Sequence, residues 1–386
     1  MAENVRLSAV RKIMIEFADR TGLPSDKKPR RYLWTDAFAV CNFLELHRQT
    51  GEGRFKELAV HLVDQVHHVL GRHREDDLRK GWISGLDEQE GEKHPTIGGL
   101  RIGKELYERG PDEPFDEFLE WERDGQYYHY LTKWMHALNQ VHRATGDPTY
   151  NRWAIELAKT AHAAFTYVSP LSGQKRMYWK MSIDLSRPLV PSMGQLDPID
   201  GLITYYELRS AAPDRPAWPD LRSEIADITE ICKGKEWITD DPLGIGDLLC
   251  NAYKVVQLVA RSKYELTDLL PLLLGNSCGG LEAYLKDDPL ELPADCRLAF
   301  RELGLSLGLH AVKRLWRLIA ERSDLFTKRS LLHPIESLLQ YAALSEEIEK
   351  FWLKRSNRKT DSWKEHRNIN MVMLATSLVP DGYLEL

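Results

Sequence analysis

Four aspartates stand at the start of apolar stretches of the sequence, where their side chains could act together. Asp36 follows Trp34 at the start of one stretch, Asp124 precedes a second, and Asp197 and Asp200 open a third. A pair of carboxyl groups can serve as general acid and general base, one donating and the other accepting a proton. We therefore predict acid–base chemistry carried by Asp124 and Asp197, with Asp36 or Asp200 assisting.

Helix capping is the alternative role for three of these aspartates, Asp36, Asp197 and Asp200. An N-cap carboxylate accepts hydrogen bonds from the free N–H groups of the first turn, and Pro198 after Asp197 suits the first helical position. Asp200 would then lie in the first turn, where its charge suits the helix dipole. The sequence leaves both roles open.

The densest group of aromatic and titratable residues is the stretch 120–136. Tyr127, Tyr130 and Trp134 have the spacing i, i+3, i+7, which places them on one face of a helix. A second stripe, of histidine and lysine, begins at His129, and burying it without partners would be costly. The stretch therefore favours a binding site over a plain core helix.

Two long segments, Lys80–Trp121 and Ser169–Leu196, lack helical periodicity, and loops of this length inside a compact domain are usually functional. They carry five cations that we expect to bind an anionic group through charge-assisted hydrogen bonds, with solvated surface charge as the alternative for each. These cations are His94, Arg101, Lys104, Lys180 and Arg187. The rest of the predicted substrate site is an aromatic platform of Trp34, Tyr127, Trp134 and Trp179, together with His129.

A partial internal repeat indicates which elements position these residues. The sequence HRQTG at 47–51 recurs ninety-five positions later as HRATG at 142–146. The match continues through the apolar positions of Phe55–Leu62 and Tyr150–Leu157. What recurs is a helix, a Thr-Gly stop and a second helix, and a repeated helical hairpin indicates an array.

Helical periodicity predicts two kinds of helix along the chain, nearly apolar inner helices and outer helices with a polar face. Inner helices are expected at Trp34–His47, Tyr128–Ala144, Asp197–Ala211, Ile245–Ala260, Leu303–Ala320 and His366–Leu378. Outer helices are expected at Ala9–Thr21, Phe55–Gly71, Tyr150–Val168, Trp218–Lys233, Lys263–Leu274 and Pro334–Lys354. Six of each predicts an all-α fold, an (α/α)6 toroid that occupies residues 1–386 as a single domain.

Composition narrows the function classes. The net charge of −6 and the lack of a basic run with interleaved aromatics argue against nucleic acid as a partner. No apolar run is long enough for a signal peptide or a bilayer span, so we expect a cytoplasmic protein with no membrane partner. The five cysteines are scattered, and we interpret most of them as small buried residues. No metal and no cofactor are expected, and the oligomeric state is left open.

The six hairpins, with long loops rich in Trp, Tyr, His and Asp before the inner helices, resemble the six-hairpin glycosidase superfamily. The resemblance implies a substrate cleft where the inner helices begin, with a small-molecule carbohydrate as the partner. It also implies glycoside hydrolysis, in which one carboxylic acid protonates the leaving oxygen and a second carboxylate activates water or attacks the sugar. We accordingly expect a glycoside hydrolase with Asp124 and Asp197 as the pair, acting on a sugar that could be anionic.

Two alternatives stay open. A sugar epimerase or isomerase of similar fold would use histidines such as His94 and His129 to move a proton beside a carbonyl. A non-catalytic helical scaffold would use the same aromatic loops to bind a sugar or a partner protein, and it would lack a facing acid pair.

Overall fold

The structure of the chain is a computed structural model that describes residues 3–23, 28–213, 215, 218–262, 264–326 and 331–386. Its helices are α1 Glu3–Thr21, α2 Leu33–Thr50, α3 Gly53–Leu70, α4 Glu88–Lys93, α5 Glu117–Glu122, α6 Tyr128–Thr145, α7 Pro148–Phe165, α8 Asp197–Ala211, α9 Arg222–Cys232, α10 Pro242–Ser262, α11 Leu269–Leu285, α12 Ala299–Glu321, α13 Leu332–Gln340, α14 Leu344–Leu353, α15 Asp361–Glu365, α16 Arg367–Leu378 and α17 Asp381–Leu384. Its strands are β1 Gln126–Tyr127, β2 Thr166–Val168, β3 Lys175–Met177, β4 Lys180–Met181 and β5 Pro188–Val190.

The internal repeat is a pair of helical hairpins with matching bounds. The pair α2 and α3 and the pair α6 and α7 begin and end ninety-five residues apart at every boundary. Gly51 and Gly146 end the first helix of each pair in the left-handed conformation, with φ of 72° and 76°. Their N–H groups donate to the backbone carbonyls of His47 and His142. The Thr-Gly stop seen in the sequence is therefore a glycine cap used twice.

The predicted outer helices have different bounds in the structure. The helix expected at Ala9–Thr21 begins at Glu3, and the helix expected at Trp218–Lys233 begins at Arg222. The helix expected at Tyr150–Val168 ends at Phe165 because residues 166–168 pair with β3. The helix expected at Pro334–Lys354 is two helices, α13 and α14, separated at residues 341–343. The helix expected from Lys263, which lies outside the described residues, begins at Leu269, so that Pro271 falls in the first turn where proline is tolerated.

The described chain divides into two compact units. One unit is Ala18–Lys233, and the other is Met1–Phe17 together with Gly234–Leu386. In the 18–233 unit the inner helices α2, α6 and α8 pack in a row, backed by α3, α7 and α9 respectively. Strands β3, β4 and β5 lie within the long segment Ser169–Leu196 and contribute to two small sheets of order β1-β4-β5 and β2-β3.

The 234–386 unit is built on α10 and α12, and glycines form the contact between these two helices. A Cβ added at Gly308 would lie 2.6 Å from the Cα of Gly246, and one added at Gly246 would lie 2.1 Å from the carbonyl oxygen of Gly304. The two backbones approach so closely that a side chain at these positions would separate them. Helix α11 packs on α10, and α14 and α16 pack on α12.

Helix α10 is also the one described helix that is long and apolar enough to cross a membrane. However, 78% of its apolar window is buried inside the protein, which is typical of a core helix. Of the five cysteines, Cys41 and Cys250 are buried and the other three are partly or fully exposed. Our expectation that most cysteines are buried is therefore wrong.

Candidate active site

The turn before α6 is fixed by its neighbours. Gly125 has φ of +147°, and a Cβ there would lie 2.7 Å from the carbonyl oxygen of Met181, so only glycine fits. The side chain of Gln126 then bonds three loop backbone groups, accepting from the N–H of Leu100 and donating to the carbonyls of Gly98 and Ile183. These contacts tie both long loops to the start of α6.

An aromatic cluster forms where α2 and α6 begin, and its members are Tyr32, Trp121, Tyr127, His129, Tyr130 and Trp179. The hydroxyls of Tyr32 and Tyr130 are 2.6 Å apart. The rings of Trp121 and Trp179 meet edge to face, with centroids 4.9 Å apart. Trp121 is 46% exposed, so the cluster can be reached from solvent.

His129 is the titratable member of the aromatic cluster. Its ring is nearly parallel to that of Trp179, at 15°, with centroids 6.3 Å apart. Its Nδ1 lies 3.6 Å from Oδ1 of Asp197, and its side chain is 30% exposed. Burial, reinforced by the charge of Lys133, lowers the pKa of His129 to about 4. The ring is therefore neutral at neutral pH and can accept a proton.

The stripe of His129, Lys133 and His136 on α6 faces carboxylates on α8. Lys133 Nζ is 2.9 Å from Asp200 Oδ1, and Thr132 donates to the same carboxylate. His136 Nδ1 is 2.8 Å from Oε1 of Glu207. The polar stripe thus has partners along α8, and we call these three contacts, with His129–Asp197, the polar ladder.

Helix α8 begins one residue earlier than capping by Asp197 would require. Leu196 is the N-cap residue and makes no side-chain cap, while Asp197 occupies the first helical position. Asp197 is therefore not the N-cap residue that the alternative role requires, and its carboxylate faces His129. Asp200 is bound by Lys133 and Thr132, so it serves the contact between α6 and α8.

Asp124, the other expected member of the acid pair, is fully buried and holds the loops together. Its Oδ2 accepts from Arg101 at 2.9 Å, and its Oδ1 accepts from the N–H groups of Gly103 and Gly125 at 2.9 and 3.1 Å. These contacts occupy both oxygens of the carboxylate. Its surroundings favour a structural role over proton transfer.

Asp36 folds back on the start of its own helix. Its Oδ2 accepts from the N–H of Tyr32, the N-cap residue of α2, at 3.0 Å. Burial raises the pKa of Asp36 to about 6, although Arg31 lies 3.6 Å away. Of the two roles left open by the sequence, the structure favours capping.

The expected platform is divided between the aromatic cluster and the core. Tyr127, His129 and Trp179 belong to the cluster. Trp134 is fully buried, and its Nε1 donates to Nε2 of His67 at 3.2 Å. Trp34 is also buried and packs on Phe38 within α2.

The cations predicted to bind an anionic group are held by acceptors of the protein. Arg101 also donates to the carbonyls of Arg72 and Val69. Lys180 is buried against Glu120 at 3.0 Å, and burial lowers its pKa. His94 contacts Glu156, Lys104 donates to the carbonyl of Trp121, and Arg187 donates to that of Arg109.

Arg101 and Lys104 nevertheless line a cavity of about 1240 Å³ in the 18–233 unit. Its wall carries eight arginine and lysine side chains against four carboxylates. It adjoins the aromatic cluster through Lys104, which donates to the backbone of Trp121. The positive charge of this wall would attract an anionic substituent.

The expected substrate site left out Tyr32, Trp121 and Tyr130, although Trp121 and Tyr130 lie in the stretch 120–136 that we interpreted as a binding site. The repeat held the signal for Tyr32, since it lies ninety-five residues before Tyr127 and both are N-cap residues of matching helices. Equivalent positions of neighbouring hairpins meet at the same end of the row. The sequence pattern around α5 gives no signal that the side chain of Trp121 is exposed.

No family model matches the chain, and no curated protein matches it either. Solved structures do. A sugar epimerase from a ruminal bacterium matches with a TM-score of 0.50 and 12% identity, over 96% of this chain and 98% of that one. Cellobiose 2-epimerase from Spirochaeta thermophila matches with a TM-score of 0.49 and 12% identity, covering 96% and 97%. Cellobiose 2-epimerase from Bacillus thermoamylovorans gives 0.46 and 10%, covering 88% and 87%.

The likeness to the ruminal enzyme spans nearly the whole of both chains and shows the fold. The chain therefore has the same all-α fold as that enzyme, the (α/α)6 toroid. The fold class predicted from the repeated hairpins and the two kinds of helix is confirmed.

Proposed function

We propose that the protein is a carbohydrate-active enzyme that moves a proton at the carbon next to a sugar carbonyl, as a sugar epimerase or isomerase. The observation that carries this proposal is His129, a neutral, partly exposed histidine between the ring of Trp179 and the carboxylate of Asp197. The ruminal structure that shares the fold is a sugar epimerase, which supports the same class of reaction.

Each part of the aromatic cluster has a role in this reaction. The indole of Trp179 and the phenol rings of Tyr32 and Tyr130, which are all partly exposed, offer apolar faces for the C–H face of a pyranose ring. His129 accepts the proton from the carbon beside the carbonyl, which leaves an enediolate on the sugar. As His129 becomes positively charged, Asp197 stabilises it across the 3.6 Å contact.

Return of the proton decides between the two products. Delivery by His129 to the neighbouring carbon, on the same face, gives an isomer. Delivery to the original carbon from the opposite face gives an epimer and requires a second acid. His94, the other histidine that we named for this role, contacts Glu156 on α7.

The experiment is to incubate the purified protein with reducing sugars in D2O and follow the sugar protons by NMR. A proton-transfer enzyme converts one sugar into another and places solvent deuterium at the carbon beside the carbonyl. The panel includes neutral sugars, uronic acids and sugar phosphates, because the charge of the cavity lined by Arg101 and Lys104 favours an anionic form. The His129→Asn variant should lose at least about 100-fold in kcat.

Asp197→Asn should lower kcat with little change in KM, because Asp197 stabilises His129 only when that ring is charged. The matched control is His333→Asn, which changes an exposed histidine and should retain full activity. If the sugars exchange no deuterium, or if His129→Asn exchanges at the normal rate, the proposal is wrong.

Glycoside hydrolysis by Asp124 and Asp197 stays a prediction, and one variant separates it from the structural role of Asp124. A purely catalytic Asp124 predicts that Asp124→Asn abolishes hydrolysis and leaves the melting temperature nearly unchanged. The contacts of this carboxylate with Arg101 and the loop N–H groups instead predict a loss of about 3 kcal/mol in the free energy of unfolding. Denaturant unfolding of the variant decides between them.

We further propose that the chain acts as one catalytic domain and that it lies in the cytoplasm, as expected from the sequence. Assays on the full chain and on its two units separately would test the first point, and cell fractionation would test the second.

A further inference from the structure

A second cavity lies in the unit formed by residues 1–17 and 234–386, and the aromatic cluster contributes nothing to it. Its volume is about 430 Å³, within the range of small-molecule sites. Five cations line it, namely Arg355, Arg358, Lys359, Lys364 and Arg367, whereas Glu16 is the one carboxylate among the lining residues. We call this cavity the cationic pocket.

Few of these charges are neutralised. Arg367 pairs with Glu16 at 2.5 Å, and Lys364 pairs with Asp361, whose side chain is 97% exposed. Arg355 and Lys359 make no ion pair with any residue in the described part of the chain. The positive potential of the pocket therefore persists and would concentrate anions.

Arg358 is the most constrained of the five. Its Nη2 donates to the carbonyl of Leu353 at 3.2 Å, and its Nε is buried without a hydrogen-bond partner among the described residues. Burial, together with the like charge of Arg355, lowers its pKa despite the opposing effect of Glu16. A buried guanidinium donor without an acceptor is costly, so an anion in the pocket would relieve that cost.

The floor of the pocket is apolar. Ile13, Met371 and Leu374 line it and are almost fully buried, as is Trp363. A bare inorganic ion would leave this floor uncovered. A ligand with both an anionic head and an apolar body would use the floor and the cations together.

We propose that the cationic pocket binds a small organic phosphate monoester. Arg355 and Arg358 hold its phosphate, and the apolar body lies on Ile13, Met371 and Leu374. Arginine suits this role because its planar fork donates two parallel hydrogen bonds to phosphate oxygens. The site is separate from the one proposed for sugar chemistry, because no residue of the aromatic cluster lines it.

The test is isothermal titration calorimetry of the full chain with three probes: phenyl phosphate, inorganic phosphate and phenol. Phenyl phosphate should bind at least about tenfold more tightly than either of the others, because only it has both parts. Its affinity should fall as salt is raised from 50 to about 300 mM, since screening weakens the attraction of the cations. A melting-temperature rise with phenyl phosphate should accompany binding.

Two variants locate the site. Arg355→Gln, an exposed change with little risk to folding, and Arg358→Gln should each weaken phenyl phosphate about tenfold at an unchanged fold by circular dichroism. Arg317→Gln is the matched control, since Arg317 is an exposed arginine of the same unit that does not line the pocket. It should bind normally.

His129→Asn should also bind normally, which separates failure of this proposal from failure of the proposed sugar chemistry. Equal affinity for phenyl phosphate and inorganic phosphate would overturn the proposal, as would undiminished binding by Arg355→Gln. No binding of phenyl phosphate at millimolar concentration would overturn it too.

Discussion

Two pairs of inner helices meet in opposite ways. In the 18–233 unit, α6 and α8 meet through the polar ladder of His129, Lys133 and His136 against Asp197, Asp200 and Glu207. In the 234–386 unit, α10 and α12 meet backbone to backbone at Gly246, Gly304 and Gly308. The polar ladder requires cationic and anionic side chains at matching positions of the two helices. At one end it places His129, the proposed proton acceptor, in the candidate active site. The glycine contact needs only the absence of side chains, and it gives rigid packing.

Removing one partner of an ion pair in the polar ladder should have the largest effect on the free energy of unfolding. Lys133→Met leaves the buried Asp200 without its nearest cation, and we expect a loss of about 4 kcal/mol in the free energy of unfolding. Urea unfolding measures it. The double variant Lys133→Met/Asp200→Leu should recover much of the loss, because neither charge of this buried pair remains. A double variant as unstable as the single one would contradict this account.

Adding a side chain at the glycine contact between α10 and α12 should lower the free energy of unfolding by nearly as much. Gly246→Ala puts a methyl group 2.1 Å from the carbonyl oxygen of Gly304, and we expect a loss of about 3 kcal/mol from the forced separation of α10 and α12. Gly275→Ala on α11 is the control, since a Cβ there meets nothing within 4 Å. It should stabilise the protein by about 0.5 kcal/mol through helix propensity. Equal effects of the two changes would show that the helices do not touch at Gly246.

Two neighbouring histidines of the 18–233 unit, His67 and His68, should contribute to the pH dependence of stability with opposite signs. Burial lowers the pKa of His67 to about 3, below its ordinary 6.5. Below pH 6.5, His67 therefore binds a proton in the unfolded chain but not in the folded protein. The free energy of unfolding falls as the pH drops below 6.5. We expect this residue to contribute about 1.5 kcal/mol of loss between pH 6.5 and 5. Urea unfolding of His67→Gln, which keeps an acceptor for Trp134, should show a correspondingly smaller loss.

The neighbouring His68 should behave with the opposite sign. Burial opposes its charge, but the acceptors Asp64 and Glu92 together raise its pKa. Its contribution is therefore present below 6.5 and disappears as the pH rises above that value. We expect the His68→Asn variant to lose stability between pH 6.5 and 5 as the parent chain does, because His67 causes that loss. If the variant no longer lost stability in this range, the role assigned to His67 would be wrong.

The smallest effects should come from the two helix caps of the repeat. Gly51→Ala and Gly146→Ala each force an alanine into a left-handed conformation with open space around its Cβ. We expect a loss of about 1 kcal/mol for each, and nearly the same value for both, because the two caps have the same geometry. Thermal unfolding of the two variants side by side measures the difference. Clearly unequal losses would mean that the two hairpins are not energetically equivalent.

Much of the fold could be read from the sequence because its signals are local. The bounds of α8 were predicted to the residue, and the HRQTG and HRATG stops gave both hairpins. Apolar periodicity and a glycine stop act over a few residues, so no tertiary information is needed to interpret them. The break between α13 and α14 was missed, since the apolar pattern continues across it.

The site was harder, because a residue's chemistry depends on its partner. Asp124 and Asp197 look alike in sequence, both just ahead of an inner helix, yet one is bound by Arg101 and the other faces His129. The sequence by itself determined the helices, the repeat and the end of each helix at which polar residues collect. Only the tertiary structure decided which carboxylate holds a loop and which stands beside a histidine, because burial and the distance to the nearest charge exist only once the chain is folded.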